Sequence, residues 1–171
     1  MSTAPPLAIH RLGPADTAGM AALLDLFQQV FDDTESYGSK RPGPAYLRSL
    51  LGSDTFFALT ATAAGTTVGG LAAYELRKFE QERSEIYLYD LAVADTHRRQ
   101  GVATALIRAL QGIAAERGAY VIFVQADLGD DPAIALYTGL GVREDVLHFD
   151  IAVPGKGAEA DADPAGSWPS R

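Results

Sequence analysis

The sequence predicts an α/β fold in which a mixed, mostly antiparallel sheet is flanked by helices. A first observation is the pair of β-forming runs at residues 55–62 and 66–78, which alternate around a short turn and indicate a hairpin. A second is the strand pattern at residues 85–93, which leads through a glycine-containing turn into an amphipathic helix. A third is the strand pattern at residues 120–127, which is followed by another helical pattern.

The segments before the hairpin carry their own boundary signals. Residues 7–12 predict a short first strand, and Gly13-Pro14 opens a helix that ends near Asp32. Proline suits the first helical turn because its missing N–H has no partner there. Residues 32–43 are polar and turn-rich, and residues 44–51 predict a short helix. We interpret residues 32–43 as a loop over a binding site.

The second half begins with the helix that follows the glycine-containing turn. Apolar residues recur there at the spacing of a helix, namely Val102, Leu106, Ile107, Leu110, Ile113 and Ala114. Residues 145–153 predict a last strand. We expect residues 1–153 to form a single domain. Residues 154–171 lack apolar periodicity and are rich in Gly, Ala, Pro and Asp, so they predict a disordered C-terminal tail.

The composition excludes several classes of site. None of the 171 residues is cysteine, which rules out a disulfide framework, a thiolate zinc site and a covalent cysteine intermediate. His10, His97 and His148 do not fall at metal-ligand spacing, so we expect no metal. The first residues lack the apolar core of a secretory signal, and no run approaches membrane-spanning length. We therefore expect a cytoplasmic protein with no membrane partner.

The net charge bears on the choice of partner. With 14 Lys and Arg against 22 Asp and Glu, the formal charge is −8. Such a surface repels nucleic acid and anionic lipid and attracts polycations. Many soluble proteins carry a similar charge for solubility alone. The charge is therefore compatible with a polycationic ligand without requiring one.

The turn before the second-half helix has the features of an anion site. Arg98 and Arg99 place positive charge beside the unpaired N–H groups of a helix start, Gly101 lets the backbone approach a ligand closely, and Ala103 leaves room beside it. A pyrophosphate fits such a turn. The alternative is an ordinary helix start with two solvated arginines, because the pattern alone is loose.

Two motifs in this region resemble those of the GCN5-related N-acetyltransferases, the GNAT superfamily. The turn corresponds to Gln/Arg-x-x-Gly-x-Gly/Ala, here residues 98–103, and residues 130–142 correspond to Asn-x-x-Ala-x-x-Leu-Tyr-x-x-x-Gly-Phe. Ala133, Leu136, Tyr137 and Gly141 match the second motif. Asp130 stands where the family has Asn, and Val142 where it has Phe.

Within that superfamily, residues 78–93, 97–107, 118–127 and 129–151 resemble the aminoglycoside 3-N-acetyltransferases of the gentamicin-modifying type. The resemblance implies a splayed sheet and acetyl-coenzyme A as co-substrate. It also implies an aminoglycoside amine as acceptor, resistance as the outcome, and a possible homodimer. The cofactor-binding positions that it implies are Leu91, Ala92, Val93, Arg98, Arg99, Gln100, Gly101, Val102, Ala103, Thr104, Asp130 and Ala133.

Three residues are candidates for moving protons. The resemblance implies that Tyr137 returns a proton to the departing sulfur, with Tyr137 as a core aromatic residue the alternative. An aminoglycoside amine must lose a proton before attack, and Asp127 and Glu85 are the candidate bases. Counted by the strand period, Glu85 shares a face with Tyr87, Tyr89 and Leu91. An ion pair with a neighbouring arginine is the alternative role for Glu85.

A polycationic acceptor needs several carboxylates or aromatic surfaces. The candidate acceptor-binding residues are Asp32, Glu35, Tyr89, Asp127 and Asp150. For each acid taken singly, a solvated surface charge is the simpler interpretation. Two functional alternatives also stay open. One is the same chemistry on a polyamine, small amine or peptide N-terminus, and the other is a non-catalytic module that binds acyl-coenzyme A.

Overall fold

The computed structural model describes residues 6–151 and 153. One five-stranded sheet runs in the order β1-β2-β3-β4-β5. The strands are β1 (Ala8–Arg11), β2 (Phe56–Ala63), β3 (Thr66–Arg77), β4 (Ser84–Val93) and β5 (Ala119–Val124). The helices are α1 (Thr17–Phe31), α2 (Pro44–Leu51), α3 (Val102–Arg117) and α4 (Asp131–Thr138). The first four strands are antiparallel neighbours, whereas β5 is parallel to β4 because α3 carries the chain back across the sheet. The predicted mixed, mostly antiparallel sheet is confirmed.

Apolar cores lie on both faces of the sheet. On one face Leu106 and Leu110 of α3 pack against side chains of β2, β3 and β4. On the other face Leu23 and Phe27 of α1 pack with α2 and the alternate residues of the same strands. Gly70 permits this close packing, since a Cβ atom there would lie 2.3 Å from Cδ1 of Leu23. The sheet is therefore buried on both sides in its centre.

A buried ion pair fixes the end of α3 to the sheet. Glu75 of β3 is 8% exposed and accepts hydrogen bonds from Ser84 Oγ, at 2.6 Å, and from Arg117 Nε. Burial by itself raises the pKa of Glu75, but the bonds from Ser84 and Arg117 outweigh it and hold that pKa below its usual value. The carboxylate thus stays charged inside the fold.

Two irregularities of β4 shape one end of the sheet. The register between β3 and β4 shifts so that Ala72 faces Asp90 and Ala73 faces Leu88, which leaves Tyr89 as the extra residue of a β-bulge. On its other side β4 pairs with β5 only as far as Leu88 and Val124. Beyond that pair the two strands separate. The sheet is therefore splayed where β4 approaches its C-terminal end.

The predicted last strand is wrong for the described residues. Residues 142–151 form neither helix nor strand, and their side chains are exposed. Leu147, Phe149 and Ile151 alternate with polar residues, which is a strand pattern, but a strand needs a neighbour to complete its hydrogen bonds. Within the described part of the chain, no strand pairs with this segment. Residues 154–171, the predicted tail, lie outside the described residues.

No helix in the described part of the chain is long and apolar enough to cross a membrane.

Candidate functional site

The turn between β4 and α3, residues 98–101, has the backbone geometry of an anion site, and we call it the anion turn. Arg99 and Gly101 both have left-handed backbone, with φ of 58° and 82°, immediately before α3 begins at Val102. Alternation of such residues curls the chain so that successive N–H groups converge on one point, and the positive end of the helix dipole adds to their field. A Cβ atom at Gly101 would meet no atom within 4 Å, so the approach to these N–H groups is open.

The side chains of the turn divide between structure and ligand binding. Arg98 pairs with Asp95 at 2.9 Å, and the Gln100 amide donates to the Thr96 carbonyl at 2.9 Å, so both brace the turn. Arg99 is exposed. Arg99 is therefore more available than Arg98 to bind an anion. Ala103 and Thr104, in the first turn of α3, are half-buried.

The separation of β4 from β5 opens a backbone edge beside this turn. Leu91, Ala92 and Val93 pair with β3 on one side, opposite Leu71, Gly70 and Gly69. No residue of β5 is paired with them in the described sheet. An extended ligand with amide groups fits such an edge as an additional strand would.

Helix α4 follows β5 in the chain and packs against the core on the α3 side. Asp130 caps its start, accepting a hydrogen bond from the Ala133 N–H at 3.1 Å. Tyr137 is half-buried and packs against the core on the α3 side. Burial, with smaller contributions from the carboxylates of Asp130 and Asp90, raises the pKa of Tyr137 to about 12. The hydroxyl of Tyr137 is therefore protonated at neutral pH and can act as a proton donor.

A cavity of about 150 Å³ lies on the other face of the sheet, between α1, α2 and the bulge of β4. We call it the aromatic cavity. Its polar lining comes from Tyr37, Tyr74, Tyr89 and Asp90, and the remainder is apolar. The β-bulge explains why consecutive residues, Tyr89 and Asp90, both line it, because an extra residue reverses the alternation of faces. The Tyr37 hydroxyl donates to Asp90 Oδ2 at 2.8 Å.

Residues 20–142 match the family model for the GNAT acetyltransferases. The chain belongs to this family. Proteins of the GNAT family use acetyl-coenzyme A, and the anion turn, the open edge of β4 and Tyr137 are the parts of this chain that fit such a co-substrate.

Solved structures agree with the family assignment. An aminoglycoside acetyltransferase from an uncultured soil metagenomic sample is 61% identical, with a TM-score of 0.85, over 87% of this chain and 99% of that one. A second aminoglycoside acetyltransferase from such a sample, solved in complex with sisomicin, is 33% identical with a TM-score of 0.81, over 86% of this chain and 97% of that one.

The curated relatives are more distant. N-acetyltransferase family 8 member 2 of Rattus norvegicus is 30% identical over 89 residues, which is 52% of this chain and 39% of the relative. The chain thus spans about two fifths of the length of that relative.

The structure distributes the candidate acids of the sequence over several places. Asp32, at the end of α1, and Glu35 are exposed residues of the α1–α2 loop (residues 32–43). Asp127 is exposed after β5. Asp150 lies in the exposed segment 142–151, with one carboxylate oxygen 3.2 Å from His148 Nε2. These acids lie on three separate segments of the chain: the α1–α2 loop, the turn after β5 and residues 142–151.

Glu85 lies at the opposite end of β4 from the open edge. It accepts hydrogen bonds from Tyr120, at 2.9 Å, and Lys78, at 3.5 Å. Leu91 is six positions further along the strand, about 20 Å in an extended strand. The predicted shared face of Glu85 and Leu91 is wrong, because the bulge at Tyr89 reverses the alternation and Leu91 packs on the α3 side.

The sequence analysis did not select Asp90 or Tyr37, which the structure brings together in the aromatic cavity, as candidate catalytic or binding residues. Asp90 was visible as the one charged residue inside an apolar run, which is an available signal for a bulge or a buried functional group. Tyr37 carried no such signal, since 53 positions separate it from Asp90. The fold alone brings these two side chains together.

Proposed function

We propose that this protein transfers the acetyl group of acetyl-coenzyme A to an aminoglycoside, at the 3-amino group of the deoxystreptamine ring, and that this reaction gives aminoglycoside resistance. The observation that carries the proposal is the position of Asp90 and Tyr137. Asp90 lies on β4 just beyond the last residue that pairs with β5, and its carboxylate is close enough to Tyr137 to contribute to the raised pKa of that hydroxyl. The 61% identical aminoglycoside acetyltransferase supports the acceptor class.

Acetyl-coenzyme A, the acetyl donor, would lie across the anion turn and the open edge of β4. The pyrophosphate would accept hydrogen bonds from the N–H groups at residues 99–104, with Arg99 adding a charge. The pantetheine arm would pair with Ala92 and Val93. The N–H groups near Leu91 would polarise the thioester carbonyl. Asp130 already caps α4, so its contribution would be to hold Ala133 and Tyr137 in place.

The acceptor amine needs a base, and Asp90 is better placed than the bases that the sequence suggested. The amine of an aminoglycoside is largely an ammonium at neutral pH, so a carboxylate must take one proton before the nitrogen attacks the carbonyl carbon. A C–N bond then forms and the C–S bond breaks. The thiolate takes a proton from Tyr137, the second proton of the nitrogen passes through water to the resulting tyrosinate, and Asp90 releases the first proton to solvent. Asp127, exposed beyond the end of β5, remains the second candidate base.

The aromatic cavity and the α1–α2 loop would hold the acceptor. Sugar rings stack on aromatic side chains, and Tyr89, 41% exposed, and Tyr74 offer such surfaces. Asp32 and Glu35 of the neighbouring loop would attract the remaining ammonium groups.

An acetyl-coenzyme A assay on a panel of amines tests this function. We expect turnover with gentamicin or sisomicin far above turnover with spermidine or a short peptide, and a single product acetylated at the 3-amino group by NMR. Asp90→Asn is expected to lower kcat at least 100-fold, with Asp127→Asn and Glu85→Gln as parallel variants. A best turnover with the peptide would contradict the aminoglycoside assignment. Binding of acetyl-coenzyme A without turnover on any amine would favour the non-catalytic module.

We also propose that the protein is a homodimer. In it, the segment 146–153 of each copy would pair with the outer edge of β5 of the other copy. Five of its apolar side chains are 71% to 88% exposed, namely Val146, Leu147, Phe149, Ile151 and Val153. Covering each one removes on the order of 100 Å² from water. Two copies together reach about 1,000 Å², the lower bound for a specific interface. The outer edge of β5 offers the matching backbone groups.

The dimer has a simple test. Phe149→Asp is expected to convert the dimer to a monomer in sedimentation experiments. Phe79→Asp, which alters a fully exposed aromatic residue between β3 and β4, is the control and should remain dimeric. A wild-type monomer would overturn the proposal.

A further inference from the structure

The hydrogen bond between Tyr37 and Asp90 joins the α1–α2 loop to the bulge of β4. The Tyr37 hydroxyl donates to Asp90 Oδ2 at 2.8 Å, and the contact is partly buried. Burial and the charge of Asp90 both raise the pKa of Tyr37, so its hydroxyl keeps the proton that it donates. The bond is therefore directed from Tyr37 to the carboxylate at every pH at which Asp90 is ionised.

Tyr37 lies in a single π-helical turn (Glu35–Ser39) within the α1–α2 loop, and both its side chain and its backbone have contacts. Its ring packs against Phe27 and Phe31, with centroid distances of 5.7 and 5.5 Å. Its carbonyl accepts a hydrogen bond from Arg41 Nε at 2.9 Å. The hydrogen bond from Arg41 therefore fixes the backbone of Tyr37, in addition to the packing of its ring.

Arg41 ties this part of the loop to α1. Its guanidinium donates to Gln28 Oε1 at 2.9 Å and forms an ion pair with Asp25. The same guanidinium reaches the Tyr37 carbonyl, so a single side chain connects the backbone of Tyr37 to two residues of α1. Loss of Arg41 would release the loop without removing any group that contacts Asp90.

We infer that Tyr37 is a positioning residue for Asp90: it orients the carboxylate toward the acceptor and stabilises its charged form, while Arg41 holds Tyr37 in place. This inference rests on the proposed function, in which Asp90 takes a proton from the amine. Tyr37, Tyr74 of β3 and Tyr89 of the same strand line the aromatic cavity with Asp90. The charge of Asp90 also contributes to the raised pKa values of Tyr74 and Tyr137. Asp33 acts on Asp90 indirectly through Tyr37.

The surroundings of Asp90 have two opposite effects on its charged form. The apolar lining of the cavity disfavours a charged carboxylate, and a hydrogen bond donated to the charged form offsets that effect. Phenols supply this donor without adding a positive charge that would repel an ammonium substrate. Tyr37 is the phenol for which such a bond to Asp90 is described.

The test compares Tyr37→Phe with the wild type by two measurements. In Tyr37→Phe the acidic limb of the kcat/KM profile for gentamicin is expected to move to higher pH by about one unit. The titration midpoint of the Asp90 carboxyl carbon, assigned by its loss in Asp90→Asn, should move in the same direction in NMR spectra of the free enzyme. The substrate is the same in both enzymes, so its own ionisation cancels from the comparison.

Arg41→Gln should reproduce part of the kinetic loss, and Tyr46→Phe, an exposed phenol of α2, is the control whose profile should not move. Unaltered limbs and midpoints in Tyr37→Phe would overturn the inference even if wild-type turnover is high. A shifted midpoint in a protein that acetylates no amine would instead overturn the proposed function and leave the contact between Tyr37 and Asp90 as found. Thermal unfolding of each variant verifies that it is folded.

Discussion

Tyr87 and Phe123 stack face to face across β4 and β5, with ring centroids 4.8 Å apart and planes 2° from parallel. The Tyr87 hydroxyl also donates to Gln125 Oε1 at 2.9 Å. The next pair along the strands, Leu88 and Val124, is the last before β4 and β5 separate. The stacked rings therefore join the two strands just before the opening that the donor requires.

A double-mutant cycle measures the contribution of this stack. Tyr87→Ala, Phe123→Ala and the double variant should show a coupling free energy of about 0.5–1.5 kcal/mol in denaturant unfolding. The single variants should also raise the KM for acetyl-coenzyme A, since looser strands change the width of the opening. Strictly additive free energies would mean that the rings pack independently.

Glycine substitutions can distinguish backbone strain from loss of acetyl-coenzyme A binding at the anion turn. Gly101→Ala places a side chain at a φ of 82°, which costs about 1–2 kcal/mol of stability. Gly65→Ala, at a φ of 79° in the β2–β3 hairpin, should cost the same and is the matched control. Neither new Cβ atom meets the protein within 4 Å.

Calorimetry with acetyl-coenzyme A distinguishes the two glycines. Affinity should fall at least tenfold in Gly101→Ala, because the methyl group obstructs the N–H groups at the helix start, and stay unchanged in Gly65→Ala. Equal affinities for both variants would remove the turn from the binding site.

The buried carboxylate of Glu75 makes stability depend on pH. Its folded pKa is lowered, so the stabilisation is present above the unfolded pKa and is lost as pH falls through the folded pKa. The unfolded value for Glu is about 4.3. At pH 7, Glu75→Gln should lower the free energy of unfolding by about 3 kcal/mol, near the lower limit for a broken buried pair, since Arg117 keeps some contact with water.

Below about pH 4 the difference between Glu75→Gln and the wild type should shrink, because Glu75 itself becomes protonated. Urea unfolding at several pH values gives both numbers. Glu82→Gln, an exposed acid in the β3–β4 connection, is the control and should differ little from the wild type at any pH. A difference that does not vary with pH would indicate that Glu75 acts by packing alone.

The parts that the sequence predicts well are those that depend on local signals. The hairpin around Gly65, the proline at the start of α2 and the glycine before α3 each have turn or cap chemistry that acts within a few residues. The helices and first five strands follow from these signals and from apolar periodicity. The roles of the anion turn and Tyr137 are predictions that rest on the family motifs.

The parts that it could not predict depend on tertiary contacts. The bulge at Tyr89 is a mismatch between two strands, so a strict two-residue period placed Leu91 on the wrong face. The last predicted strand has the right pattern, but strand formation depends on a neighbour that the described chain does not supply. Glu85 has the residue type of a base, yet its place on β4 pairs it with Lys78 and Tyr120.

The last prediction concerns the return of a proton to sulfur. Because the pKa of Tyr137 is raised to about 12, its hydroxyl stays protonated throughout the range in which an aminoglycoside amine can be deprotonated. Tyr137→Phe removes that proton while keeping the ring that packs against the α3 side of the core, so we expect kcat to fall by roughly 10- to 1,000-fold with little change in donor affinity. Tyr46→Phe, with its side chain exposed on α2, is the matched control and should retain wild-type kcat. This expectation is the same for any acceptor amine, because acetyl transfer to any of them leaves the coenzyme A thiolate to be protonated. Steady-state kinetics with calorimetry for acetyl-coenzyme A separates the two effects, and an unchanged kcat in Tyr137→Phe would make Tyr137 a packing residue and leave solvent as the proton source.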